Sequence, residues 1–102
     1  MQQYQNPNKI PVIVRADFLL DGRIRPLLLR TASGPAIKVK VKGCCEAPAL
    51  KAGGQGTRYT CDFGGKELYL FHDDTQWFLE VEDGLFWFVD ENGQVIIISN
   101  EE

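Results

Sequence analysis

Cys44, Cys45, Cys61 and His72 are the soft metal ligands of this chain, so zinc binding and thiol chemistry are the first reactions to consider. Zinc sites use thiolates spaced so that two sulfurs reach one ion, most simply with two residues between them. Adjacent Cys44-Cys45 makes that chelation awkward. Cys61 alternates with Tyr59 and Phe63, the spacing of a small apolar residue that faces a core. No residue is assigned as a metal ligand.

His72-Asp73-Asp74 has the composition of an acid–base or metal cluster. It also falls where an apolar run ends, and Asp is a common turn former. His72 is the single histidine, so any Ser/His or Cys/His relay would have to use it. Ser33 sits in a turn signal and Ser99 close to the last residue, which leaves Cys44 or Cys45 as partners, provided residues 44–56 fold over the strand ending at His72. The expectation is a protein with no catalytic residue and no cofactor.

Gly53, Gly54 and Gly56 give residues 52–58 the glycine density of an anion-cradling loop. Phosphate loops borrow the N-terminus of a following helix, however, and here a strand-like run follows. The basic residues are a better lead for anion or nucleic-acid binding. Arg15, Arg23, Arg25, Lys38, Lys40, Lys42 and Arg58 come from neighbouring early segments that could share a face. Of eleven aromatics only Tyr4 and Phe18 precede residue 58, so that face would lack bases' stacking partners and would hold a phosphate backbone weakly. The competing reading is that these cations pair with Glu67, Glu80 and Glu82 across strands, at roughly 0.2–1 kcal/mol per pair.

That competition arises from an unusual division of charge. Residues 1–66 hold all eleven Lys and Arg against four acids, a formal +7, whereas residues 67–102 hold ten acids and no base, a formal −10. The net −3 argues against general nucleic-acid affinity, and the 102 residues fit one domain with a sizeable core. No apolar run reaches the ~18–20 residues of a membrane span. Residues 1–8 lack the basic and apolar regions of a secretion signal, and three cysteines make no even disulfide framework, so free thiols in the cytoplasm are expected.

The elements that must position these groups read as strand after strand. Asp21-Gly22, Ser33-Gly34, Gly64-Gly65, Asp83-Gly84 and Asn92-Gly93 punctuate apolar or alternating runs. Such pairs suit tight hairpins, whose turns place a residue at positive φ. Strands are expected at 10–19, 23–31, 36–42, 57–63, 66–72, 76–82, 85–90 and 94–99. In the third, Ile37, Val39 and Val41 alternate with Lys38, Lys40 and Lys42, the pattern of a half-buried strand with a basic outer face. Pro26 has no N–H to donate, so the second strand should be an edge or carry a bulge. Residues 44–56 are the exception: one irregular loop, with Pro48 able to start a helical turn and Gly53 to end it.

Leu85-Phe86-Trp87-Phe88-Val89 and Val95-Ile96-Ile97-Ile98 are apolar on both faces. A doubly apolar strand needs cover on its second side. A second sheet or the N-terminal tail could provide it within the chain; otherwise a second copy could, through Phe86, Trp87, Phe88, Ile96 and Ile98. A homo-oligomer or a protein partner is therefore expected, nucleic acid is the less favoured partner, and no membrane is.

The run Leu50-Lys51-Ala52-Gly53-Gly54-Gln55-Gly56-Thr57-Arg58-Tyr59-Thr60-Cys61 continues through Gly64-Gly65-Lys66-Glu67, Tyr69-Leu70-Phe71 and Trp77-Phe78-Leu79-Glu80. With Ile10-Pro11-Val12 and the Asp21-Gly22 turn, it resembles a group of short bacterial proteins of unknown function over about residues 9–82. The resemblance implies a small β-barrel and transfers no catalytic residue. The expected fold is all-β: a polar tail at 1–8, then one domain at 9–102, a small antiparallel barrel or strongly bent sheet of six to eight strands, similar to Src-homology-3 barrels. Its expected role is that of a non-enzymatic binding or assembly module.

Overall fold

The computed structural model describes residues 9–48, 55–73, 76–81 and 84–99. The polar tail expected at 1–8 and the helical-turn segment at 49–53 lie outside the described residues. The described chain is all-β, with nine strands: β1 (Lys9–Phe18), β2 (Ile24–Arg30), β3 (Ile37–Lys38), β4 (Lys40–Pro48), β5 (Gln55–Phe63), β6 (Lys66–His72), β7 (Trp77–Glu80), β8 (Leu85–Val89) and β9 (Val95–Ser99). The first seven form an antiparallel sheet in the order β3-β2-β1-β7-β6-β5-β4, nearly closed into a barrel.

Two bent strands make the closure. The first half of β1 pairs with β7 (Ile10 opposite Leu79), and its second half pairs with β2 (Val14 opposite Leu29). β3 and β4 are likewise two halves of one strand broken at Val39, the first on β2 and the second on β5. Corners of packed sheets are commonly turned by strands that switch partners at bends or bulges. Here Val39 N–H donates to Leu27 C=O at 2.9 Å, and Leu27 is the extra residue of a bulge opposite Arg15/Ala16. Pro26, which cannot donate to a ladder, sits beside that bulge, as its chemistry requires.

The single strand expected at 36–42 is thus two, and the irregular loop expected at 44–56 is strand wherever it is described. Residues 44–48 and 55–56, assigned to an irregular loop, are strand: β4 runs to Pro48, with Cys44 opposite Tyr59 and Pro48 opposite Gln55. A bulge at Lys42 lets the ladder continue past the point where alternation stops. β4 lies at the end of the sheet order, so Pro48 there breaks no hydrogen bond to a second neighbour.

The interior is one cluster: Ile10, Val12, Leu29, Ile37, Tyr59, Cys61, Phe63, Leu70, Leu79, Val81, Phe88 and Ile98. Period-2 alternation supplies it, since Tyr59, Cys61 and Phe63 share one face of β5. The Tyr59 hydroxyl, pushed up in pKa by burial, donates to Ile24 C=O at 2.9 Å and so ties β5 to β2 across the core. Phe71 and Phe78 form a second buried pair, stacked at 5.2 Å and 14°.

Hairpin β8–β9 is a separate two-stranded sheet laid on the barrel. Phe63 receives it, with ring centroids 5.4 Å from Phe88 and 6.1 Å from Phe86. Lys66 fastens its rim: Nζ donates to Trp87 C=O at 2.9 Å and lies 3.4 Å over the Trp87 ring. Gly64, at φ +61, fits beneath β8, and a Cβ there would come within 2.4 Å of Val89 O.

Candidate functional site

Thiols and histidine are not brought together. Cys44 lies on β4 and His72 on β6, with β5 between them, and His72 lies flat on Trp77 at 4.1 Å and 12°. Among the described residues no hydrogen bond joins His72 to a cysteine, and no three His, Cys, Asp or Glu side chains gather as metal ligands. Asp73 acts as a turn former, its Oδ1 accepting the Gln76 N–H at 2.9 Å; Asp74 lies outside the described residues.

The cysteines separate by environment. Cys44 and Cys45 are exposed on the sheet-edge strand, whereas Cys61 is fully buried and its thiol is pushed up from 9.0 to about 12 by burial. At pH 8 that leaves about a thousandfold less thiolate than an ordinary cysteine has. A thiol reagent is expected to label two cysteines in the native protein, and the third only in denaturant. Rapid native labelling of all three would mean that the core face of β5 is open. Since the folded pKa is the higher one, this thiol's contribution to stability is intact below pH 9 and is lost as pH rises through about 12.

The seven cations come from β1 to β5 and from the turn before β2. Arg15 and Lys38 lie in one cross-strand row, each opposite Leu28 of β2, and neither meets a carboxylate among the described residues. Arg25 is paired with Asp17 at 2.9 Å and Arg23 with Asp21 at 2.7 Å, both within the basic half. The Arg23 backbone N–H, together with that guanidinium, holds the Asp21 carboxyl below its usual range. Arg30, overlooked in the sequence, donates to Thr31 and Ala32 carbonyls.

On the other side Arg58 stacks on Tyr69 at 4.7 Å, and its buried Nε has no hydrogen-bond partner. Lys42 meets Glu67 at 2.6 Å, a bond that raises the lysine's pKa. This is the described ion pair that joins the basic and acidic halves. Lys38 and Lys40 line a cleft of about 640 Å³ together with Asp62, which stands opposite Lys40 on β5, and with Asp90 and Glu91 of the hairpin turn. The division of charge is thus met partly within the barrel itself, between β4 and β6. Of the acids expected to pair, Glu82 lies outside the described residues, and Glu80 stands opposite Lys9 and Tyr69 in the sheet.

The outstanding surface is the outer face of β8–β9. Leu85, Trp87, Val89, Val95 and Ile97 point away from the barrel, between 43 and 61% exposed. They stand side by side: Trp87 opposite Ile97 and Val89 opposite Val95. Together they expose on the order of 500 Å² of apolar surface, within the roughly 300–600 Å² of the largest patch on a typical monomer, a patch that is often functional.

This corrects the residues expected for self-association. Of Phe86, Trp87, Phe88, Ile96 and Ile98, the structure turns four inward, with Phe88 and Ile98 buried and Phe86 and Ile96 packed against the core. Only Trp87 lies on the outer face. When both faces of a strand are apolar, alternation cannot say which one meets the core, and here the position of Phe63 decides it.

No family model matches the chain, and neither a curated protein nor a solved structure matches it.

Proposed function

We propose that this chain is a non-enzymatic assembly module, and that the outer face of β8–β9 stacks against the same face of a second copy. The observation that carries the reading is a contiguous set of five half-exposed apolar side chains on a hairpin seated on Phe63 and held at its rim by Lys66, whose ammonium lies over the Trp87 ring. A ribbon of two strands is marginal by itself, and sheets with apolar residues on both faces persist when both are covered. Stacking sheet on sheet at about 10 Å supplies that cover.

An apolar partner is favoured over a polyanion by the distribution of cations. Arg23, Arg25 and Lys42 already have carboxylate partners, and the hairpin belongs to the acidic half of the chain. That half would repel nucleic acid, and it would also repel a second copy. Association should therefore tighten with added salt as screening shortens from about 10 Å at 0.1 M to about 3 Å at 1 M.

Sedimentation velocity across micromolar concentrations tests the proposal. Trp87→Glu, which leaves a carboxylate beside Lys66, is expected to keep the fold and weaken association on the order of 100-fold, the effect of losing a central aromatic anchor. Val95→Glu should act in the same direction. A wild-type protein that remains monomeric at high micromolar concentration in 1 M salt would refute self-association.

A further inference from the structure

We infer that self-association uses an edge as well as a face: β9 pairs antiparallel with β9 of a second copy about a two-fold axis at Ile97. This rests on the reading above and adds the geometry of the partner. The hydrogen-bond pattern of the hairpin carries it. Asp90 N–H donates to Gln94 C=O at 2.9 Å, which makes the next pairs inward, Phe88 with Ile96 and Phe86 with Ile98, the hydrogen-bonded ones. In the alternate pairs, Val89 with Val95, Trp87 with Ile97 and Leu85 with Ser99, the N–H and C=O groups point out of the hairpin.

The two outward edges are treated differently. Along β8, Trp87 C=O accepts Lys66 Nζ, and Val89 C=O lies close above Gly64, so the barrel covers that edge. Along β9 the outward groups of Val95, Ile97 and Ser99 have no hydrogen-bond partner among the described residues, and Val95 and Ile97 are 60 and 61% exposed.

Exposed edges are normally guarded by a lysine, a proline or a bulge. Val95-Ile96-Ile97-Ile98-Ser99 has none of these and carries no charge, inside a segment with ten acids. The strand is also complementary to itself. Two-fold pairing sets Ile97 against Ile97 and Val95 against Ser99, apolar or neutral throughout, with no like charges opposed. An extended peptide from another protein would find nothing on this edge to read beyond backbone.

Edge pairing joins two hairpins into a four-stranded sheet and doubles its outer apolar face. Stacking two such sheets covers both faces and leaves no open β9 edge, so the assembly closes at four copies, four times the chain mass of 11.5 kDa.

Ile97→Pro is the discriminating variant. Its missing N–H points to the open edge, so every β8–β9 hydrogen bond is kept, while pairing across the two-fold loses its central donors. Ile97→Ala trims the same side chain but keeps the N–H. Sedimentation is expected to give four copies for wild type and for Ile97→Ala, and two copies, held by stacking alone, for Ile97→Pro. An Ile97→Pro protein with native circular dichroism that assembles like wild type would overturn edge pairing and leave stacking intact. A monomeric wild type would remove both.

Should the proline variant not fold, Ile97→Cys with Cys44→Ser and Cys45→Ser answers the same question. Mild oxidation should link two chains through residue 97, because paired strands bring these Cα atoms to about 5.5 Å, whereas stacked sheets keep them about 10 Å apart. Assembly without that crosslink overturns edge pairing.

Discussion

Phe63→Ala is expected to cost about 3–5 kcal/mol, the range for deleting a fully buried phenylalanine, out of a typical total of about 5–15 kcal/mol. Phe63 is 2% exposed and belongs to two bodies at once: it ends the core row of β5 and receives Phe86 and Phe88 of the hairpin. Its loss therefore leaves a cavity in the barrel and removes the seat of β8–β9. In urea, the Trp87 fluorescence transition should precede the far-ultraviolet circular-dichroism transition, with Trp77→Phe used to isolate the signal. Phe71→Ala should cost a comparable amount, since Phe71 is equally buried against Phe78, yet leave the two transitions coincident. Coincident transitions in Phe63→Ala would mean that the hairpin does not depend on this ring.

Gly64→Ala carries the second large effect, and its neighbour supplies the control. Both Gly64 (φ +61) and Gly65 (φ +88) adopt left-handed backbone that costs any residue with a Cβ about 1–2 kcal/mol. Around Gly65 a Cβ meets nothing within 4 Å, whereas at Gly64 it would lie 2.4 Å from Val89 O and 3.3 Å from the Phe88 ring. The obstruction at Gly64 is backbone, which cannot rotate away, so β8 must lift from the barrel. Gly65→Ala should lower stability by the conformational cost alone. Gly64→Ala should lose clearly more, and it should also expose Trp87 to collisional quenchers. Equal losses at the two positions would show that β8 can move without penalty, contrary to the close approach described here.

Both effects concern the seam between barrel and hairpin, and that seam was only partly legible beforehand. The turn signals were readable because a tight reversal demands backbone that glycine adopts freely: Gly22, Gly64, Gly65, Gly84 and Gly93 all have positive φ, whereas Gly34 turns without it. The core row of β5, Tyr59, Cys61 and Phe63, was readable because alternation with one polar face leaves a single choice of inward side. The continuation of β4 through Cys44-Cys45-Glu46 was not, because an edge strand with a bulge needs no regular pattern, and its pairing with β5 is held by backbone groups that every residue shares.

The candidate site divides in the same way. That residues 85–99 are apolar on both sides, and that basic and acidic residues fall in separate halves, is written in the order of amino acids. Which five side chains of the hairpin face outward is not, since a strand apolar on both faces satisfies a core equally well in either orientation. Tertiary structure made that choice by setting Phe63 against Phe86 and Phe88. The same holds for the cations: Arg23, Arg25 and Lys42 find carboxylates, whereas Arg15 and Lys38 meet none among the described residues. Composition and spacing determined the strands and their turns, because these obey local backbone rules. Inward and outward, open and covered, were decided by contacts between residues far apart in the chain, which no local rule encodes.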